Sequence, residues 1–109
     1  MPNSFALDLI RARPFEPIVL NEPLRIDALP TPALVLERAP FERNVAKMAA
    51  HVQQHGKGFR PHAKTHKCPL ISRAQLDAGA VGVCAAKVSE AVALAQAGVH
   101  EVRQLPRPP

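Results

Sequence analysis

Arg60-Pro61-His62-Ala63-Lys64-Thr65-His66-Lys67 gathers three lysine or arginine side chains and two histidines into eight residues, the densest reactive chemistry in the chain. The run follows a helix-stop signal, Gly56-Lys57-Gly58, and precedes a helix-start signal, Cys68-Pro69. It reads as a strand whose end passes into a loop, where α/β folds expose catalytic groups on a rigid support. A surface lysine is protonated at neutral pH and is a poor nucleophile. Burial or a nearby cation frees the amine. Lys64 stands among Arg60, His62, His66 and Lys67, which makes it the candidate to form an imine with an aldehyde cofactor. In an alternating strand over Phe59 to Lys64, the side chains of Arg60, His62 and Lys64 share one face. The plainer alternative is a basic edge strand.

Other chemistries fit less well. The order His62, His66, Cys68 offers zinc-type ligands, yet it matches no established spacing and lacks a second pair. No metal site is expected from it. Cys84 lies in an apolar run and reads as a small core residue. His51 and His55 fall four apart on a helix, facing solvent near its C-terminus. No nucleophile elbow or glycine-rich phosphate loop is present.

The elements that must position this run alternate regularly. Pro30-Thr31-Pro32 leads into Ala33-Leu34-Val35-Leu36, read as a buried strand. Pro40 opens a helix of about four turns with Phe41, Val45, Met48, Ala49 and Val52 on one face, ending at Gly56. Pro69 opens a second helix, with Leu70, Ile71, Ala74 and Ala78 inward and Gly79 as its stop. Val81 to Ala86 is a small apolar run typical of a strand buried on both faces. Ser89 is the expected N-cap of a third helix, with Glu90 in its first turn, Ala91, Leu94 and Ala95 inward, and Gly98 as its stop. Val99 and Val102 begin a further strand. Strands alternating with short helices imply parallel βα units, which either close into a barrel or spread into a doubly wound sheet.

Composition bounds the rest. The chain has 109 residues, 47% hydrophobic and only 4% aromatic, so aliphatic residues and alanine must build the core. Twelve prolines concentrate toward both ends. Residues 5–10 could make a short helix, and residues 1–28 are otherwise expected to drape as an extended arm. The formal charge is +5, spread along the chain without interleaved stacking aromatics, which argues against nucleic acid as a partner. No apolar run approaches the ~20 residues of a membrane span. No secretory signal is legible, and two cysteines suggest no disulfide framework. A reducing cytoplasm is the expected compartment.

Five segments, in this order and spacing, resemble a known family: Pro30-Thr31-Pro32-Ala33-Leu34; Glu42-Arg43-Asn44; Arg60 to Lys67; Gly79 to Cys84; and Ala86-Lys87-Val88-Ser89-Glu90-Ala91. Together they resemble the N-terminal part of the D-threonine aldolase and eukaryotic-type D-serine dehydratase family, pyridoxal-phosphate enzymes of the alanine-racemase fold type. The R-P-H-x-K-T-H-K run is the specific part of the match, which covers residues 29–99. The resemblance implies an α/β fold, the first βα units of a (β/α)8 barrel. It implies pyridoxal phosphate as cofactor, with Lys64 as its attachment point and the catalytic residue, and His62, Thr65 and His66 shaping the pocket. It also implies a D-amino acid substrate, a homodimer in the full-length form, and a divalent metal whose ligands lie outside these residues.

A barrel needs about 250 residues, and this chain offers roughly three of its eight units. Residues 100–109 end in Pro106-Arg107-Pro108-Pro109, where the family pattern calls for an aliphatic strand; a shifted frame or early stop would produce such a tail. The expectation is a truncated, aggregation-prone lyase fragment, inactive by itself. A non-catalytic cofactor- or partner-binding remnant is the alternative, and a small basic nucleic-acid-binding protein a weaker third.

Overall fold

The computed structural model of the chain describes residues 23–104. The expected helix at 5–10, most of the N-terminal arm and the closing prolines lie outside the described residues. A single 3-10 turn at Ile26–Ala28 comes first. Then come α1 (Arg38–Gln54), α2 (Pro69–Asp77), β1 (Val83–Ala85), α3 (Val88–Gln96) and β2 (Val102–Gln104). Among the described residues no helix is long and apolar enough to cross a membrane.

β1 and β2 pair in parallel, with Val83 opposite Val102, Cys84 opposite Arg103 and Ala85 opposite Gln104. α3 connects them and packs on both, a complete βαβ unit. On the other side of β1, His62 forms a parallel bridge with Cys84. Three backbone hydrogen bonds hold this segment: Val81 N–H to the Phe59 carbonyl at 3.0 Å, Cys84 N–H to Pro61 at 2.8 Å, and Ala63 N–H to Cys84 at 2.8 Å. The order is therefore sequential: the extended segment 59–63, joined by a single parallel bridge at His62, lies beside β1, which pairs with β2. The strand expected over Phe59 to Lys64 is reduced to a single bridge at His62, next to Pro61, which has no N–H to offer the ladder; the segment stays extended over 59–63. It ends at Ala63, so Lys64 leaves the alternation that would place it with Arg60 and His62.

The core is small and aliphatic: Ala63, Val83, Ala85, Leu94 and Val99, with Leu76, Ala91 and Val102 packed around it. α1 ends and turns at Gly56 as its pattern predicts, and Phe41, Val45, Ala49 and Val52 are half-buried while Met48 is exposed. α2 is rotated from its expected face. Pro69 and Ser72 are buried with Leu76 beside them, and Leu70 is exposed. Spacing of i, i+3, i+7 selects one helix face, and the small Ser72 is the residue that fits there. The N-cap of α3 is Lys87, which makes no side-chain cap, so Ser89 lies inside the first turn rather than at its mouth. Its inward residues are Ala93 and Leu94, with Ala95 exposed. Arg73 donates to the carbonyl of Ala97, placing a cation at the C-terminal end of α3.

Two further expectations change. Ala33-Leu34-Val35-Leu36 is neither strand nor buried; Leu34 is fully exposed, and Val35 and Leu36 are more than half so. A hydrophobic run becomes a strand only where a neighbouring edge takes up its backbone groups, and no described segment pairs with it. The Val81 to Ala86 strand shortens to Val83–Ala85, with Val81 half exposed. The further strand expected to begin at Val99 and Val102 forms as β2 over Val102–Gln104 and pairs with the buried strand, within the residues expected to be an atypical tail.

Candidate active site

The site is built on the C-terminal end of the extended segment 59–63, bridged to β1 at His62. Lys67 N–H donates to the Ala63 carbonyl at 2.8 Å, closing one tight turn over Lys64, Thr65 and His66. Lys67 adopts a left-handed conformation, φ 49°, as the chain leaves the turn toward α2. Two imidazoles brace the turn in the same way. Lys64 N–H donates to His62 Nδ1 at 3.2 Å, and Cys68 N–H donates to His66 Nδ1 at 3.0 Å. With Nδ1 accepting, each neutral ring carries its proton on Nε2.

The four sequence-designated residues are thus brought together, with unequal exposure. Lys64 and Thr65 present their side chains to solvent, while His62 and His66 are half-buried. Among the described residues Lys64 forms no ion pair. His66 Nε2 is buried without a partner, and burial holds its pKa below the usual histidine range. Cys84 is a core residue, as expected; its thiol lies 3.7 Å from the Arg60 carbonyl.

One group outside the sequence-designated set enters here. Glu90, in the first turn of α3, accepts from Ala86 N–H at 3.0 Å through Oε2 and meets Lys67 Nζ at 3.5 Å through Oε1. The Ala86 hydrogen bond, and then the Lys67 charge, hold the Glu90 carboxyl below its ordinary range despite some desolvation. A cleft of about 210 Å³ opens beside this pair, lined by Lys67, Lys87, Ser89 and Glu90 over Ala93 and Leu94. Lys64 does not line it. The signal for Glu90 was its place in the first turn of a helix opening at a strand end. Its reach to the lysine-bearing loop needed the tertiary arrangement.

These shifts set a pH dependence. The folded pKa of His66 lies below its unfolded value, so the unfolded chain binds more protons as pH falls through and below about 6.5. Stability is expected to decline there first. A second decline follows below about 4.5, where unfolded glutamate binds a proton that folded Glu90 resists. Urea midpoints at pH 7.5, 5.5 and 4 measure both, and His66→Gln, which does not titrate, flattens only the upper one.

No protein-family profile matches the chain. Individual proteins do. A D-threonine aldolase from an Arthrobacter species is 45% identical over 91 residues, which is 84% of this chain and 22% of that protein. The crystal structure of D-threonine aldolase from Filomicrobium marinum shares 44% identity at a TM-score of 0.68, over 76% of this chain and 24% of that one. The chain belongs to the D-threonine aldolase-like family. A further member, the D-threo-3-hydroxyaspartate dehydratase of a Delftia strain, is 35% identical over 74 residues, 68% of this chain and 20% of that protein. The chain thus spans about a fifth of the length of the relatives it matches. Its parallel βα units in sequential order are the opening units of the family's (β/α)8 barrel.

Proposed function

We propose that this chain is the cofactor-anchoring portion of a pyridoxal-phosphate-dependent lyase acting on D-3-hydroxy amino acids, with Lys64 as the attachment residue. One observation carries the assignment: the turn after the 59–63 segment presents the Lys64 amine to solvent, with its backbone tied to His62 and its ends closed by Ala63 and Lys67. The relatives support the substrate class. Their names specify D-threonine, 3-hydroxy-D-aspartate and D-threo-3-hydroxyaspartate, all amino acids of D configuration with a 3-hydroxyl.

The residues present fit the aldehyde end of the cofactor. The Lys64 amine forms no ion pair among the described residues, so no salt bridge has to break before it bonds to the aldehyde. When bound, pyridoxal phosphate supplies an electron sink for the substrate Cα. Lys64 Nζ would hold the aldehyde carbon of the cofactor and, once released, would take or return the proton at the substrate Cα. His62 fixes the backbone from which Lys64 projects. Thr65 and His66 flank it, the first offering a hydroxyl and the second a largely neutral ring. Aldol cleavage and loss of water both begin with this placement.

Turnover requires the remaining barrel units, and residues 29–104, through β2, are assigned to that barrel. Two free cysteines suit a reducing compartment such as the cytoplasm. The assignment is tested by incubating the purified chain with pyridoxal phosphate, reducing with borohydride and mapping the label. Concentration on Lys64, with Lys67 and Lys87 spared, supports it; label scattered over all exposed lysines overturns it.

A further inference from the structure

We infer that Glu90 is a positioning residue for Lys64, tying the turn that carries the reactive amine to the loop after the neighbouring strand. The inference rests on the reading of Lys64 above and adds a residue that acts through another.

The geometry is a two-point clamp. The chain leaves the 59–63 segment through the Lys64 turn and leaves β1 through Ala86 and Lys87. These neighbouring parallel segments end at the same edge of the sheet, joined there by one carboxylate. Oε2 takes the Ala86 N–H at 3.0 Å and Oε1 takes Lys67 Nζ at 3.5 Å. Lys67 is also the residue whose N–H closes the Lys64 turn on Ala63. The path is therefore short: Glu90 to Lys67, and Lys67 to both ends of the turn.

The two contacts are unequal. The Glu90 side chain is only 13% exposed, whereas that of Lys67 is 60% exposed. A half-solvated ion pair holds little by itself. A charge-assisted bond to a backbone N–H is the firmer anchor, fixing the carboxylate so that it meets Lys67 without losing further side-chain freedom. Lys67 needs such support, because a non-glycine residue at φ 49° keeps that conformation only when its surroundings enforce it. Lys87 is the other cation lining the cleft, and it projects from the same loop as Ala86. Its backbone N–H, rather than its charge, also favours the ionised Glu90 carboxylate and leaves the tie intact.

The test uses the full chain and two readouts. Amide hydrogen exchange reports the clamp without any cofactor. In Glu90→Gln, which keeps the side-chain length but loses the charge, the Ala86 and Lys67 amides are expected to exchange about tenfold faster. The Lys64 share of the borohydride-trapped pyridoxyl label is expected to fall while far-UV circular dichroism stays unchanged. Lys67→Arg preserves both readouts; Lys67→Ala speeds exchange at the residue 67 amide but not at Ala86, and lowers the Lys64 share of the label. Should Glu90→Gln fail to fold, Lys67→Ala, whose side chain is mostly solvated, decides the question. Wild-type amide rates together with a wild-type Lys64 share in these variants overturn the clamp. Failure of the wild-type chain to label at Lys64 removes the cofactor reading instead, and the exchange data still show whether Glu90 braces the turn.

Discussion

Lys64→Arg is expected to abolish site-selective capture of pyridoxal phosphate and to leave the fold as it is. Arginine keeps the positive charge and the length of the side chain. Its guanidinium stays protonated at any working pH and cannot serve as the nucleophile. Lys64 is exposed, and its structural bond to His62 comes from its backbone N–H, which arginine retains. The substitution should therefore change stability by no more than about 0.5 kcal/mol, as for other surface positions. Peptide mapping after reduction checks the first point and urea denaturation the second. Residual label should be spread without preference over Lys47, Lys57, Lys67 and Lys87. If instead a dominant label remains on Lys67, the attachment point moves across the turn and the assignment of Lys64 is wrong.

Gly82→Ala should be the most damaging small substitution in the sheet. Gly82 sits at φ 154°, and a Cβ built there would strike both the Arg60 guanidinium and the carbonyl oxygen of Glu101. The guanidinium can swing away. The carbonyl cannot, because it accepts the Val83 N–H at 3.1 Å, at the start of the pairing between β1 and β2. Relieving the contact means breaking that register, next to the fully buried Val83. The expected loss is about 3 kcal/mol, a large part of what a small domain possesses. Gly79→Ala provides the comparison. Its φ of 107° is also unfavourable for alanine, but no atom lies within 4 Å of the added carbon. It should cost about 1–2 kcal/mol, through backbone strain alone. Equal urea midpoints for the two variants would show that the Glu101 contact carries no weight.

The α/β class, the three helices and the chemistry-bearing run were all legible in the residues, for local reasons. Pro40 and Pro69 suit first helical turns, and the glycines at 56, 79 and 98, all at positive φ, mark where each helix stops. The apolar side chains of α1 recur at helical spacing. The R-P-H-x-K-T-H-K run stands out because few other places in a sequence hold so many titratable groups. Cys84 was identifiable as core because its neighbours on both sides are small and apolar.

Which apolar segments are covered was a tertiary matter. Ala33-Leu34-Val35-Leu36 has the composition of a buried strand and is exposed, since no described segment accepts its backbone groups. Val102–Gln104 has the poorer composition and is a strand, since β1 offers it a paired edge. Hydrophobicity records the free energy available on burial and says nothing about the presence of a partner.

By itself, then, the sequence determined the helices and where each one stops, and singled out Lys64 as the candidate attachment residue, because stop glycines, periodicity and a motif act within a few residues. The tertiary structure alone decided that Lys64 stands in a turn rather than on a strand face, and that Glu90 reaches across to Lys67. Those outcomes depend on where one backbone carbonyl, that of Ala63, and one carboxylate find their hydrogen-bond partners, which residues distant in the chain supply.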